Sequence, residues 1–292
     1  MNMTRQEFIT GLAALPLSSV AMNIQEFSAL SKQNAQKEPM PVLFIGHGNP
    51  MHALWDDAFA RKLSEIGTNL EKPAAILVVS AHWLTKGTLV AGTAKPDTIH
   101  DFGGFPKELF QVRYEAAGAP ELAKEVAVHV PGAKLDEEWG LDHGAWTVLR
   151  HMYPKADIPV FQMSIDYSQP ESYHLALAQY LQFLRTKGVL VLASGNIVHN
   201  LRLARWQNPQ GGPYDWALEF DAKVKQELLN GNFQELARYK TWGKFAELSV
   251  PTNDHYLPMM YALGLANAKE EVKFLFEGFE MGSISQRCFM IS

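Results

Sequence analysis

Two short segments of the sequence are apolar at every position, and they place the tightest limit on how the chain can fold. Ile76–Val79 and Val189–Leu192 consist only of aliphatic residues. A strand that is apolar on both faces has to be covered on both faces, which is typical of parallel sheets flanked by helices. The sequence therefore predicts buried central strands at these two places.

Short apolar runs alternate with longer amphipathic segments over the rest of the chain. The predicted strands are Val42–Ile45, Ala75–Val79, Thr88–Ala91, Ile158–Ile165, Val189–Ala193, Val272–Phe276 and Ile284–Ile291. The predicted helices are Pro120–Val130, Pro170–Lys187, Asp215–Asn230 and His255–Ala266. Strands that alternate with helices indicate a layered α/β fold. Because no composition shift divides the sequence after residue 40, we predict a single domain over residues 41–292.

The first 40 residues differ in composition from the rest. Arg5 precedes a short apolar segment, Gly11–Met22, and a polar segment without periodicity follows at Ser31–Glu38. This order is typical of a degenerate export signal, and it is equally typical of a frayed helix followed by a linker. The expected location is the cytoplasm, with export to the periplasm as the alternative. Nothing elsewhere approaches the ~20 consecutive apolar residues of a transmembrane helix.

Charge and cysteine content exclude several classes of function. Lys and Arg number 26 against 31 Asp and Glu, for a net charge of -5, so neither nucleic acid nor an anionic membrane is the expected partner. The single cysteine, Cys288, cannot form an internal disulfide or a thiolate zinc site. Any metal site must use histidines and carboxylates. Apolar helix faces suit a core and a dimer interface equally well, so a monomer and a small homo-oligomer both remain open.

Histidines lie where predicted buried strands end. His47 and His82 follow the first two buried runs, and His199 follows the run at Val189–Ala193. Ligands bind at the carboxyl ends of strands in open α/β sheets because loops from several strands meet there. His255 begins a predicted helix, after Pro251 and Thr252 interrupt the preceding secondary structure. His143 lies in a tight loop at a helix start, where Gly144 would let a substrate approach closely.

Such a cluster suits several divalent metals. Imidazole is a good ligand for zinc, iron and copper. Zinc with an open coordination position would activate water, whereas ferrous iron would leave room for a substrate and dioxygen. Composition and spacing do not choose between Zn²⁺ and Fe²⁺.

Six segments carry a resemblance to a known family. They are Gly46–Pro50, Ser80–Trp83, Leu141–Trp146, Gly195–Leu201, Tyr214–Ala217 and Asp254–Pro258. With these segments in this order over residues 41–292, the sequence resembles the 4,5-DOPA extradiol dioxygenases, which belong to the class III extradiol ring-cleavage dioxygenases. The resemblance implies a three-layer α/β/α fold with a mixed central sheet, and an enzyme that opens a catechol ring with O₂.

The resemblance also implies roles for individual residues. The positions of His47, His82 and His255 correspond to metal ligands in the family. His199 corresponds either to a fourth ligand or to the acid and base of the reaction, and His143 to a residue that faces the substrate. Imidazole suits proton transfer because its ordinary pKa of about 6.5 is close to neutrality.

The sequence departs from the family pattern at the third ligand segment. Close relatives usually have a histidine where this chain has Val250. The wider class uses a carboxylate with two histidines, and Asp254 is the carboxylate beside the third ligand position, so Asp254 is an alternative to His255 as a ligand.

Two other functions fit the same histidines. They would serve a zinc hydrolase or a metal-stabilised binding module without turnover. The candidate aromatic walls of the site are Trp83, Trp146 and Tyr256. The candidate partners for a substrate carboxylate are Lys107, Arg113 and Arg202.

Overall fold

A computed structural model describes residues 38–292. Most of the N-terminal segment therefore lies outside the described residues, and its interpretation as an export signal or a linker stays a prediction. No helix within residues 38–292 combines the length and apolar character needed to cross a membrane.

The strands form a mixed central sheet. They are β1 (Val42–Gly46), β2 (Ala75–Thr85), β3 (Leu89–Ala91), β4 (Lys134–Asp136), β5 (Val160–Asp166), β6 (Val189–Gly195), β7 (Val272–Phe276), β8 (Phe279–Glu280), β9 (Ile284–Ser285) and β10 (Cys288–Ile291). Eight of them make one sheet in the order β4-β3-β5-β2-β6-β1-β10-β7, and β8 pairs with β9 separately. The central strands β5, β2, β6 and β1 run parallel, whereas β10 is antiparallel to β1 and β7.

Helices cover both faces of this sheet. They are α1 (Ala58–Asn69), α2 (Lys107–Phe110), α3 (Pro120–His129), α4 (His143–Met152), α5 (Glu171–Leu177), α6 (Gln182–Thr186), α7 (Asp215–Leu229), α8 (Phe233–Leu236), α9 (Lys244–Ser249) and α10 (Leu257–Gly264). Helices α1, α2 and α4 pack on one face, and α3, α5, α6, α7, α9 and α10 pack on the other.

The two cores explain the strands that are apolar on both sides. Along β2, Ile76 and Val78 belong to the core on the α4 side, whereas Leu77 and Val79 belong to the core on the α10 side. Successive side chains of a strand point to opposite faces, so each core receives every second residue. The predicted α/β fold with a mixed sheet is confirmed.

The structure corrects two element predictions. The predicted strand Ile284–Ile291 is two strands, because Gln286 and Arg287 interrupt it between β9 and β10. The predicted helix Pro170–Lys187 is α5, a 3₁₀ turn and α6.

Candidate metal centre

Two central strands, β1 and β2, which lie on either side of β6, bring the first histidines together. His47 directly follows β1, and His82 lies in β2 within the interval Val79–Leu84 over which the register with β5 shifts. His255 belongs to a different part of the chain, in the turn before α10. Its carbonyl accepts a hydrogen bond from the backbone N–H of Asn196, which follows β6, at 2.8 Å. Two of the rings thus lie near the carboxyl ends of central strands, and a backbone hydrogen bond holds the segment that carries the third.

The three rings converge on one point. Nε2 of His47 lies 3.1 Å from Nε2 of His82. The His255 ring centroid lies 5.4 Å from that of His47 and 5.0 Å from that of His82. One ligand nitrogen from each of these residues lies within 4.8 Å of the other two, which is the convergence that the sequence predicts.

Two glycines permit this convergence. A Cβ on Gly195 would lie 2.2 Å from the carbonyl oxygen of His255. A Cβ on Gly144 would lie 2.5 Å from Oγ of Ser80 and 3.0 Å from Cδ2 of His82. The expectation that Gly144 makes room for a substrate needs correction, because the space beside it is filled by the protein's own side chains.

His199 and His143 lie beside the three rings, but each belongs to a different possible metal-ligand set. The His199 ring stacks on His255 with centroids 3.5 Å apart and planes at 11°. The His143 ring lies 3.8 Å from that of His82. His199 shares a possible metal-ligand set with Asp254 and His255 rather than with His47 and His82.

Two carboxylates orient the imidazoles. Oδ2 of Asp254 lies 2.5 Å from Nδ1 of His255. Oδ2 of Asp101 lies 2.9 Å from Nδ1 of His143 and 3.4 Å from Nδ1 of His82. Sequence reasoning missed Asp101, and the only local signal was its place beside His100 in a glycine-rich loop.

Burial favours the neutral form of three of these imidazoles, those of His47, His82 and His199. Burial lowers the pKa of His47 and of His82 well below the usual value, and the neighbouring histidines add to the effect. Burial also lowers the pKa of His199, and the neighbouring His255 adds to the effect. Burial raises the pKa of Asp254, but the hydrogen bond and charge of His255 outweigh it, so that the pKa falls below its ordinary value.

This donor set fits a borderline divalent cation. Neutral imidazole nitrogens are the usual protein ligands of zinc and iron. The contact between Asp254 and Nδ1 of His255 leaves Nε2 of that ring available as a ligand. Hydrogen-bonded carboxylates behind metal-binding histidines fix the ring orientation in many metal sites. Within residues 38–292, His47, His82 and His255 are therefore suited to hold such an ion.

A cavity of about 330 Å³ adjoins the histidines. The histidines that line it are His47, His82, His143, His199 and His255. Its apolar and aromatic walls are Phe102, Phe105, Leu201, Trp206, Met281 and Ile284. The cavity thus combines apolar walls with a cluster of polar groups, a form suited to a small aromatic ligand.

The walls are not the residues that the sequence suggested. Trp83 stacks on Trp139 with centroids 5.1 Å apart, and the Trp146 indole donates to the carbonyl of Ile99. The Tyr256 hydroxyl donates to a backbone carbonyl in the core. All three predicted walls are packing residues. The candidate carboxylate partners Lys107, Arg113 and Arg202 do not line the cavity either.

Comparison with known proteins agrees with a metal site beside a cavity for an aromatic ligand. Residues 38–287 match the family described as the catalytic LigB subunit of aromatic ring-opening dioxygenase. A protein of Escherichia coli (strain K12) named 4,5-DOPA dioxygenase extradiol is 45% identical over 252 residues, which cover 84% of this chain and 92% of that one. A Beta vulgaris protein of the same name is 36% identical over 251 residues, covering 83% and 92%.

A solved structure shares the fold. The crystal structure of an uncharacterized protein from Escherichia coli K12 superposes with a TM-score of 0.76 at 40% identity, covering 87% of this chain and 100% of that one. The family match, together with an α/β fold and clustered histidines beside an apolar cavity, places the chain among the metal-dependent oxidoreductases that open aromatic rings. The chain belongs to the LigB family of aromatic ring-opening dioxygenases. The predicted class, extradiol dioxygenase, is confirmed.

Proposed function

We propose that the protein cleaves a catechol such as DOPA at the extradiol 4,5 position with O₂, using a divalent cation held by His47, His82 and His255. The observation that carries the proposal is the set of three ligand nitrogens within 4.8 Å of one another, on histidines that line a largely apolar cavity. The names of the Escherichia coli and Beta vulgaris relatives support DOPA as the substrate.

The cation is proposed to be Fe²⁺ during turnover. A bound divalent cation polarises the catechol oxygens, and a redox-active one also allows reaction with O₂. Zinc has no redox chemistry. Zn²⁺ would therefore occupy the same histidines without supporting ring cleavage.

His199 is proposed to move the substrate proton. It lines the cavity, and because burial lowers its pKa, its imidazole is neutral before the substrate binds. A bound cation would lower the pKa of the catechol hydroxyls, so that this ring could accept a proton from one of them. The protonated ring would later return that proton to the opened product. Its stacking on His255, outside the set formed with His47 and His82, supports an acid and base role over that of a fourth ligand.

His143 is proposed to donate a hydrogen bond to the reacting oxygens. Its Nδ1 lies 2.9 Å from Oδ2 of Asp101 and donates to that carboxylate. Nε2 is therefore the nitrogen left for the cavity, and it donates there when both ring nitrogens carry a proton. A donor aimed at a developing negative charge in a site shielded from water contributes a few kcal/mol. Asp254 is proposed as the partner that orients His255 rather than as a ligand, because its carboxylate already meets Nδ1 of that ring.

Anaerobic loading tests the proposed function. The protein is loaded separately with Fe²⁺ and Zn²⁺, mixed with a panel of catechols that includes DOPA, and followed for O₂ consumption and for the yellow ring-opened product. We expect both signals with Fe²⁺ only. Hydrolytic activity that follows Zn²⁺ would favour the zinc hydrolase, and catechol binding without O₂ consumption would favour the binding module.

Substitution of His199 by alanine tests its role. The variant should keep its metal and lose turnover by about 10²–10⁴-fold, the usual contribution of a positioned acid or base. The control is His129→Ala, which replaces an exposed histidine on α3. Unchanged ring cleavage, or loss of the metal, in His199→Ala would rule out the assignment.

A further inference from the structure

A buried hydroxyl group contacts the ring of His47 on the side away from the cavity. Ser194 lies near the end of β6 and is fully buried. Its Oγ lies 2.9 Å from Nδ1 of His47 and 2.6 Å from the carbonyl oxygen of Gly144. The hydroxyl therefore connects a proposed ligand with the first turn of α4, which also carries His143.

The direction of these two hydrogen bonds follows from their atoms. A carbonyl oxygen only accepts, and a hydroxyl has a single hydrogen to donate. That hydrogen goes to Gly144, so the Ser194 oxygen can only accept from the ring nitrogen of His47. Nδ1 of His47 then carries the proton. In a neutral imidazole the other nitrogen, Nε2, is left with a free lone pair, and Nε2 is the atom 3.1 Å from Nε2 of His82.

We propose that Ser194 is a positioning residue that fixes His47 as the tautomer protonated at Nδ1 and directs its Nε2 lone pair into the metal site. This inference rests on the proposed function in that His47 is taken as a ligand. The opposite tautomer presents an N–H to the site and cannot bind a cation. Partners behind metal-binding histidines typically change metal affinity by 10–100-fold when they are replaced.

A neighbouring serine separates this role from general support of α4. Ser80 is the register partner of Ser194 on the adjacent strand β2. Its hydroxyl donates to Oδ1 of Asp142, the N-cap residue of α4, at 2.7 Å. Both serines thus hold the start of α4, but only Ser194 bonds the His47 ring. Loss of Ser80 disturbs the helix start without removing the ring contact.

The test compares serine variants by tautomer and by metal affinity. Two-bond ¹H–¹⁵N spectra of the metal-free wild-type protein should show Nδ1 of His47 protonated and Nε2 unprotonated. In Ser194→Ala we expect a mixture of tautomers and Zn²⁺ binding weakened by about 10–100-fold in competition with a chromophoric chelator. Ser164→Ala, which removes a buried hydroxyl on β5, and Ser80→Ala should keep the wild-type tautomer.

The outcomes are decisive even if a variant does not fold. A wild-type spectrum with Nε2 of His47 protonated would overturn the inference without any substitution. So would Ser194→Ala with an unchanged tautomer or an unchanged Zn²⁺ affinity. Because the tautomer is read in metal-free protein, a wild-type enzyme that cleaves no catechol but shows the expected tautomer would contradict the proposed function and leave the hydrogen-bond assignment standing.

Discussion

At the scale of single residues, Gly144 provides a direct test of how tightly the histidine site is packed. A methyl group there would meet Oγ of Ser80 at 2.5 Å and the ring of His82 at 3.0 Å. We expect Gly144→Ala to displace His82 and weaken Zn²⁺ binding by at least about tenfold, in line with the effect of other changes behind metal ligands. Isothermal titration calorimetry of the metal-free protein measures this.

The control for this substitution is Gly212→Ala. A Cβ on Gly212 meets nothing within 4 Å, so this variant should bind Zn²⁺ as the wild type does. Equal affinity in Gly144→Ala and Gly212→Ala would show that the position of His82 does not depend on the space beside Gly144.

The site residues that the sequence predicts lie next to apolar segments, whereas those that it does not predict depend on tertiary packing. His47, His82 and His199 were predictable because each follows a strongly apolar strand, and strand ends of a parallel sheet share an edge. Asp101 and Ser194 were not, because their contacts depend on the exact packing of α4 and its preceding loop. The aromatic walls were missed for the same reason, since burial and cavity lining look alike in a sequence.

At the scale of elements, an ion pair joins α7 to the segment between β9 and β10. Arg287 contacts both carboxylate oxygens of Asp221, and Asp221 also accepts from the hydroxyl of Ser285 at 2.7 Å. Both charged side chains are buried. The break in the predicted strand Ile284–Ile291 coincides with this contact, because Arg287, one of the two residues between β9 and β10, bonds Asp221 of α7.

Removal of the acid of this pair should be costly. Asp221→Ala leaves the Arg287 guanidinium buried with only the partly exposed Glu277 as a partner. We expect a loss of about 3 kcal/mol in the free energy of unfolding, measured by urea denaturation. Glu219→Ala, two residues away on the exposed side of α7, should change it by less than about 0.5 kcal/mol. Similar values for both variants would contradict a structural role for the pair.

Element prediction succeeded where local signals were strong. Helices α3 and α7 begin and end close to their predicted limits, and Gly231 after α7 adopts a positive φ of 69°, as expected of a glycine that ends a helix. Helix α1 was missed although Phe59, Leu63 and Ile66 have helical spacing. The short strands β4 and β8 carry no comparable signal, because each has only two or three residues and is defined by its pairing, β4 with β3 and β8 with β9.

At the scale of the whole molecule, buried neutral histidines make stability depend on pH. Burial lowers the pKa of His47, His82 and His199 well below 6.5, and that of His174 to about 4. Below pH 6.5 the unfolded chain binds protons that the folded chain does not, so stability falls as pH falls. Each such histidine contributes up to about 1.4 kcal/mol per pH unit, down to its own folded pKa.

One buried carboxyl opposes this trend. Burial raises the pKa of Asp142 to about 6 from 3.8, so below pH 6 the folded state gains stability from protonation of this group. Because several histidines oppose one carboxyl, we expect the urea unfolding free energy of the metal-free protein to decrease from pH 7 to pH 5. A constant or rising value over that range would show that these histidines are not buried in neutral form.

The central claim is that His47, His82 and His255 meet around one divalent cation that a catechol can reach. Anomalous diffraction from crystals of the Fe²⁺-loaded protein, recorded at the iron absorption edge, tests it most directly. We expect a single strong peak about 2.1 Å from a ring nitrogen of each of the three histidines, open to the cavity on one side. A peak at other residues, or the three rings without a shared peak, would contradict it.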